Sequence, residues 1–240
     1  MDMRVNLLQR QLAIASRYLS LEGHDDFNQG QISGRIKGDS SHIYIKKAVC
    51  GFGYAEPGDI IECSAERGSL QPKDAPPELP LHQAIYVARP DVNAIVHTHS
   101  EAAIVFAALG LTLRPISHDA CYFLDSLSYF NETTQTILTD EIAARVAVAM
   151  GNNNAIFLQN HGMVIVASSV RKAAVLAAVL DRACRIQIAA ESVSKEYASS
   201  PIREVPVKRD YIYSDVAIKT YWDHVQRVVN QKWPETSKWT

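Results

Sequence analysis

The sequence predicts an α/β fold in which helices are layered on a sheet. Short β-branched segments alternate along the chain with amphipathic segments of helical period, and this alternation is typical of sheets covered by helices. Of the 240 residues, 47% are apolar and 21% are charged, so the composition is that of an ordinary globular protein. Because no linker rich in proline, glycine or serine divides the chain, we predict one domain over residues 1–240.

Apolar periodicity predicts the individual elements. Helices are predicted over residues 5–22, 81–87, 101–109, 139–150, 168–196 and 214–229. Strands are predicted over residues 42–46, 59–63, 93–99, 155–159 and 163–166, with a further strand expected near Arg35. The tail, about residues 201–240, contains Tyr211, Tyr213, Tyr221 and Trp222. We expect this tail to pack at a subunit interface, and covering a flat substrate ring is the alternative.

Charge and composition exclude several classes of protein. The net charge is −2 with both signs interspersed, whereas a nucleic-acid surface would show a basic stripe. No apolar run approaches the roughly 20 residues that cross a bilayer, and the N-terminus lacks the apolar core of a secretory signal. The four cysteines include no Cys-x-x-Cys pair. We therefore expect a reduced, cytoplasmic protein that acts on a small molecule, with neither nucleic acid nor membrane as partner.

Two histidines on one predicted strand indicate a metal site. His97 and His99 are two residues apart, and side chains of a strand alternate between faces, so both imidazoles point to the same side. Neutral imidazole is the commonest protein ligand for divalent metals. His161 follows another buried strand at an Asn-His-Gly turn. A half-buried pair of histidines without a ligand is the alternative for His97 and His99.

One acidic residue lies in an unusually stiff segment. Glu78 is enclosed by Pro76, Pro77 and Pro80, just before a predicted helix. Because proline restricts the backbone, this segment would hold the carboxylate in one place. We expect Glu78 to be functional, and a solvated loop side chain is the alternative. Its apolar, proline-rich surroundings predict a raised pKa.

Together these residues resemble the class II aldolase/adducin superfamily, which includes L-fuculose-phosphate aldolase. The resemblance rests on Glu78-x-x-x-His82, His97-Thr-His99 and Asn160-His161-Gly162 followed by a long alanine-rich helix, and it extends from Asn28 to about Ala190. It implies a three-layer α/β/α sandwich with a central mixed, mostly antiparallel sheet. It also implies a homotetramer with active sites between subunits.

The resemblance assigns roles to the site residues. His97, His99 and His161 would bind one divalent ion per subunit, and the ion could be zinc, manganese, cobalt or iron. Glu78 would be the catalytic acid/base. His82 would line the pocket or orient a neighbour, and packing is its alternative role.

The residues that bind phosphate in the sugar-phosphate aldolases are largely missing. The first turn reads Gly30-Gln-Ile-Ser33, the second falls within Cys50–Tyr54 and contains no threonine, and a Ser-Ser pair is replaced by Pro76-Pro77. Proline has neither an N–H nor a hydroxyl group to donate. We therefore expect a substrate that is not a sugar phosphate.

Further candidate residues flank these motifs. Asn28, Ser33 and Arg35 are predicted to bind substrate, with Arg35 offering a fork for a carboxylate and a surface role as its alternative. His118 and Tyr122 are catalytic candidates, because the resemblance places them facing the active site or a neighbouring subunit. Turn and interface structure is their alternative role.

The combined interpretation is a metal-dependent carbon–carbon lyase. We expect decarboxylation of a hydroxylated aromatic (di)carboxylate, in which a metal stabilises the enolate and Glu78 transfers a proton. The alternatives are an aldolase for a non-phosphorylated hydroxy-carbonyl substrate, a ferrous-iron oxygenase using the same site, and a non-catalytic adducin-like binding module.

Overall fold

A central sheet of seven strands organises the fold. The computed structural model describes residues 5–240, and residues 1–4 of the predicted domain lie outside the described part. The strands are β1 (Gln31–Arg35), β2 (His42–Lys46), β3 (Ile60–Ser64), β4 (Ala94–Thr98), β5 (Leu127–Phe130), β6 (Ala155–Leu158) and β7 (Gly162–Ala167). Their spatial order is β3-β2-β1-β4-β7-β6-β5. Only β5 and β6 pair in parallel, which confirms a mixed, mostly antiparallel sheet.

Helices cover both faces of this sheet. They are α1 (Leu7–Leu21), α2 (Leu79–Ala88), α3 (Glu101–Ala108), α4 (Asp140–Met150), α5 (Val170–Val193), α6 (Val205–Ile212) and α7 (Asp215–Lys232). Helices α1, α3, α5 and α7 enclose one apolar core against the sheet, and α2 and α4 enclose a second core on the opposite face. The three-layer α/β/α architecture expected from the sequence is therefore confirmed.

Local signals explain where the helices begin and end. At the start of α1, the Asn6 side chain accepts from the Gln9 N–H at 3.0 Å, and the Gln9 side chain accepts from the Asn6 N–H at 3.1 Å. Thr139 caps α4, since its side chain accepts from the Ile142 N–H, and Gly151 ends that helix with a φ of +54°. Such short-range bonds depend on neighbouring residues alone, which is why the sequence locates these boundaries well.

Strand β4 lies between the two cores, and its alternation decides which face of the sheet His97 lies on. Ala94 and Val96 lie in the core beneath α1 and α5, whereas Ile95 lies in the core beneath α2. Side chains alternate along a strand, so His97 faces the α2 side and Thr98 faces the α1 side. The hydrogen bond between Thr98 Oγ1 and His24 Nδ1, 3.0 Å long, lies on that α1 side.

The sequence missed two elements. Strand β5 has four residues, of which two are partly buried and one is exposed, so its apolar alternation is too weak to separate it from a loop. Helix α6 has a single buried residue, Val205, and therefore lacks an apolar stripe. In the part of the chain that the structure describes, no helix has both the length and the apolar character needed to cross a membrane.

The C-terminal tail packs on its own chain. Trp222, Val225 and Val229 of α7 lie in the same core as α1 and α5. Arg17 of α1 stacks on two tail rings, at 5.1 Å from Trp233 and 5.0 Å from Trp239. The exposed side of this tail stays a predicted subunit interface.

Arg17 is expected to be a main anchor of the tail. Its side chain is 5% exposed and donates to the Ala55 carbonyl and to Glu235, both at 2.9 Å. Arg17→Ala should lower the free energy of unfolding by about 2–4 kcal/mol, because charged hydrogen bonds and two cation–π contacts are lost. Urea unfolding measures this change. A loss no larger than that of the exposed-site control Arg203→Ala would show that Arg17 is not an anchor.

Candidate metal centre

Four side chains converge at the end of strand β4. One ligand atom from each of Glu78, His97, His99 and His161 lies within 4.8 Å of the others. His97 Nε2 is 3.2 Å from Glu78 Oε2 and 3.2 Å from His99 Nε2. His161 Nε2 is 3.3 Å from Glu78 Oε1. Three imidazole nitrogens and one carboxylate at these spacings form a donor set suited to a divalent cation.

Strand geometry and one glycine bring the histidines together. His97 lies within β4 and His99 just beyond its end, and the strand period gives both rings the same direction. His161 reaches them through the tight turn from β6 to β7, where Asn160 adopts a φ of +56°. A Cβ atom at Gly162 would overlap the Thr98 carbonyl oxygen, so only glycine lets β7 begin this close to β4.

The imidazoles are oriented by bonds on their far sides. His97 Nδ1 donates a hydrogen bond to the Met163 carbonyl oxygen at 3.0 Å, and His99 Nδ1 lies 2.9 Å from Asp26 Oδ2. These bonds direct both Nε2 atoms toward the cluster, as second partners of metal-binding histidines do. His161 Nδ1 is buried and has no hydrogen-bond partner within residues 5–240.

Burial keeps two of these imidazoles neutral. Desolvation, together with the nearby charge of His97, lowers the pKa of His161 to about 4. The same two causes lower the pKa of His99, against an opposing contribution from Asp26. Because a metal binds the unprotonated ring nitrogen, both side chains are in the ligand form at neutral pH.

Glu78 is buried, with 2% of its surface exposed. The Ile137 N–H donates to its Oε1 at 3.0 Å, and Gln31 Nε2 lies 3.5 Å from its Oε2. Burial raises the pKa of this carboxyl, but the interactions with His97 and His161 and the hydrogen bond from the Ile137 N–H outweigh it, so the pKa falls well below its ordinary value. The predicted rise was wrong, because the proline-rich segment points the carboxylate at histidines and not at apolar side chains.

Two predicted substrate-binding residues lie beside the cluster but inside the protein. Ser33 and His82 are fully buried, and Ser33 Oγ lies 2.7 Å from His82 Nδ1 and 2.9 Å from the Tyr86 hydroxyl. Desolvation lowers the pKa of His82 to about 3, so this ring is neutral. These two residues bond to each other, and direct substrate contact by either stays a prediction.

Three other predicted residues do not reach the cluster of their own chain: Arg35, His118 and Tyr122. Arg35 lies at the opposite end of β1, where it donates to the Val92 and Tyr86 carbonyls at 3.1 and 3.0 Å. His118 is exposed, and Tyr122 packs edge-on against Tyr213 with a centroid distance of 5.1 Å. Their contribution to a neighbouring subunit's site stays a prediction.

Asn28, which was predicted to bind substrate, lies two residues after Asp26, whose carboxylate contacts His99. Its amide donates to the Ala48 carbonyl at 3.0 Å, and its side chain is exposed. Sequence reasoning missed Asp26, two residues earlier, together with Gln31 and Ile137. Local pattern carries no signal for them, since Asp26 is 73 residues from the histidine it contacts.

Asp26 should tune the affinity of the site. Asp26→Asn keeps the side-chain shape but removes the negative charge that raises the basicity of His99. Loss of such an orienting carboxylate typically costs 10- to 100-fold in metal affinity, and we expect about that decrease here. Competition against a chelator measures it, with the neighbouring exposed Asp25→Asn as the matched control. Equal affinity in both variants would contradict the role of Asp26.

The three-layer fold and the histidine–glutamate cluster together define a class II aldolase fold with a site suited to a metal ion. The chain belongs to the family described as Class II Aldolase and Adducin N-terminal domain, whose profile matches residues 10–188. That match includes all four residues of the cluster, and the family resemblance seen in the sequence is therefore confirmed.

Known proteins support this assignment at the level of sequence and of fold. The chain is 30% identical over 190 residues to Decarboxylase NovR from Streptomyces niveus, covering 76% of this chain and 69% of that protein. It is 27% identical over 236 residues to 3,4-dihydroxyphthalate decarboxylase from Arthrobacter keyseri, covering 92% and 94%. The structure of L-fuculose 1-phosphate aldolase from Glaciozyma antarctica PI12 superimposes with a TM-score of 0.82 at 23% identity, covering 95% and 90%.

Proposed function

We propose that this protein is a divalent-metal-dependent carbon–carbon lyase that decarboxylates a hydroxylated aromatic carboxylate. The observation that carries the proposal is the Glu78 carboxylate, held at 3.2 and 3.3 Å from the ligand nitrogens of His97 and His161. A proton-transfer group inside a ligand cluster suits reactions that leave an electron pair on carbon. Two similar proteins are named decarboxylases, one of them for a dihydroxylated aromatic dicarboxylate.

His97, His99 and His161 would hold the ion, with Glu78 beside it. When bound, a divalent cation supplies Lewis-acid stabilisation of the negative charge that develops on substrate oxygens. Zinc, manganese, cobalt and iron all accept imidazole and carboxylate donors, so the donor set is compatible with each of them. Whichever ion is present, the far-side bonds from Met163 and Asp26 keep two of the rings in place.

Glu78 would move the proton that the reaction requires. In decarboxylation the bond from the ring carbon to the carboxylate breaks, carbon dioxide leaves, and the electron pair stays on the ring carbon until that carbon is protonated. In its carboxylate form, Glu78 would begin the reaction as a base. It would take the proton of the substrate hydroxyl and return it to the carbon. The Ile137 N–H holds the carboxylate in position throughout.

The residues near Glu78 and near the Cys50–Tyr54 turn offer few donors for a phosphate group, which disfavours a sugar-phosphate substrate. Pro76 and Pro77 precede Glu78 and offer no N–H donors. The buried Lys46 ammonium group donates to the carbonyl oxygens of Asn28 and Lys47, both at 3.2 Å, and also to that of Cys50. With three carbonyl partners, its ammonium group has no free hydrogen left for a phosphate.

Elemental analysis and a carbon dioxide screen test the proposed function. Purified protein should contain about one divalent ion per chain and should release carbon dioxide from at least one hydroxylated aromatic mono- or dicarboxylate. Chelation should abolish release, and metal should restore it. Cleavage into two carbonyl fragments would indicate an aldolase, strict oxygen dependence would indicate an oxygenase, and failure to retain or regain metal would favour a binding module. Each of these results would contradict the decarboxylase proposal.

A further inference from the structure

Three apolar side chains stand exposed around the turn at Gly51. They are Phe27, Val49 and Tyr54, with 91%, 68% and 80% of their surfaces exposed, and we call them the aromatic rim. The Tyr54 ring lies 3.7 Å from the position of a Cβ on Gly51, and the Phe27 carbonyl oxygen also contacts that position. Exposed apolar groups collected at one place mark a binding surface more often than isolated ones do.

The aromatic rim is joined directly to the metal cluster. Asp26, whose carboxylate lies 2.9 Å from His99 Nδ1, immediately precedes Phe27. Because consecutive Cα atoms are about 3.8 Å apart, the Phe27 Cα lies within roughly 13 Å of the ligand nitrogen of His99. The loop that orients His99 therefore also carries Phe27.

The backbone at Phe27 is held in a conformation that disfavours a large side chain. Its φ is +50°, in the left-handed region. Contacts on both sides impose this conformation: a Cβ on Gly51 would overlap the Phe27 carbonyl oxygen, and Asn28 bonds to the Ala48 carbonyl at 3.0 Å. The phenyl ring gains little from burial in return, since it is almost fully exposed. A bulky side chain at such a position points to a role outside folding.

The other side of the cluster has a different chemical character. There the Ile137 N–H holds Glu78, and the preceding residues 131–136 are Asn-Glu-Thr-Thr-Gln-Thr, of which five are exposed. The segment next to His99 therefore exposes an aromatic ring, whereas the segment next to Glu78 exposes polar side chains. A substrate with one flat apolar part and one oxygen-rich part fits this asymmetry.

We propose that Phe27, supported by Val49 and Tyr54, determines specificity by packing against the ring of an aromatic substrate whose hydroxyl and carboxylate oxygens reach the metal cluster. This inference rests on the proposed function, because it requires a substrate that chelates at the cluster. It adds the residues that distinguish an aromatic hydroxy acid from an aliphatic one carrying the same chelating groups.

Binding of two matched ligands to the cobalt-loaded protein tests the role of Phe27. Salicylate and 3-hydroxybutyrate both carry a hydroxyl group β to a carboxylate, but only salicylate has a ring. Their binding is followed through the visible absorption of the bound cobalt, so no turnover is needed. Phe27→Gly should raise the Kd for salicylate about 3- to 10-fold, the amount an aromatic contact contributes, and leave the Kd for 3-hydroxybutyrate unchanged.

Two further variants separate this effect from folding. Glycine accepts a φ of +50°, so Phe27→Gly should keep or raise the melting temperature. Phe27→Tyr should restore salicylate binding. Leu138→Ala, an exposed apolar residue (54%) on the polar side of the cluster, is the matched control and should change neither Kd.

The outcomes distinguish the rim from the metal site. An unchanged salicylate Kd in Phe27→Gly would overturn the role of the rim and leave the proposed function standing. A change of oligomeric mass with an unchanged Kd would also overturn it, by assigning the rim to a contact between copies. If neither ligand alters the cobalt spectrum of the wild-type protein, chelation at the cluster fails, and both proposals fall with it.

Discussion

Replacing His99 by alanine is expected to abolish metal binding and activity. In the proposed site His99 supplies one of three imidazole ligands, and its Nε2 lies 3.2 Å from that of His97. Removing it leaves two imidazoles and one carboxylate, and it also leaves Asp26 without the ring that it orients. We expect the metal content to fall below roughly a tenth of an ion per chain, with no measurable turnover.

Metal analysis of His99→Ala after soaking and gel filtration checks this expectation. The matched control is His224→Ala, because His224 is exposed on α7 and belongs to no metal-ligating cluster among residues 5–240. Circular dichroism should show the same helix content in both variants, since His99 lies beyond the end of β4 and outside the two apolar cores. Normal metal content in His99→Ala would remove this residue from the ligand set.

Replacing Glu78 by glutamine is expected to separate binding from catalysis. Glutamine preserves the shape of the side chain, and its amide oxygen can still accept the Ile137 N–H. The three imidazoles remain, so the metal should be retained. Turnover should fall by about 10²- to 10⁴-fold, the usual contribution of a general acid–base group, because an amide cannot accept and return a proton.

Metal content and turnover are both needed to interpret Glu78→Gln. Near-normal turnover would remove Glu78 from proton transfer. Loss of the metal would show that Glu78 acts mainly as a metal ligand, since its oxygens lie 3.2 and 3.3 Å from the Nε2 atoms of His97 and His161. Glu132→Gln is the matched control: Glu132 is an exposed carboxylate that lies 3.4 Å from Arg145.

The convergence of the three histidines could be predicted because their signals are local. The strand period sets the directions of His97 and His99, whatever surrounds the strand. The Asn-His-Gly turn places His161 at a strand end, and Gly162 permits the close approach to Thr98. The family resemblance then related these separate signals to one site, which the structure brings within 4.8 Å together with Glu78.

The surroundings of the ligands could not be predicted in the same way. The pKa of Glu78 was expected to rise because its neighbours in sequence are prolines, but its neighbours in space are histidines, which lower it. Arg35 shares β1 with Gln31, yet it lies at the far end of the strand from the cluster. The burial of a side chain, the charges near it and its distance from the cluster depend on residues that folding brings together. Neighbours in sequence do not predict them.

The sequence by itself determined the layered α/β fold, the common direction of two histidines, the stiff segment before α2 and the loss of phosphate donors. These follow from periodicity, backbone restriction and the chemistry of single residues, which act over a few positions. Only the tertiary structure decided that Asp26 orients His99, that the Ile137 N–H holds Glu78, and that Phe27 is exposed at a positive φ. Each of these depends on loops whose positions are set by the packed sheet, because contacts across 59 or 73 residues arise only when the chain is folded.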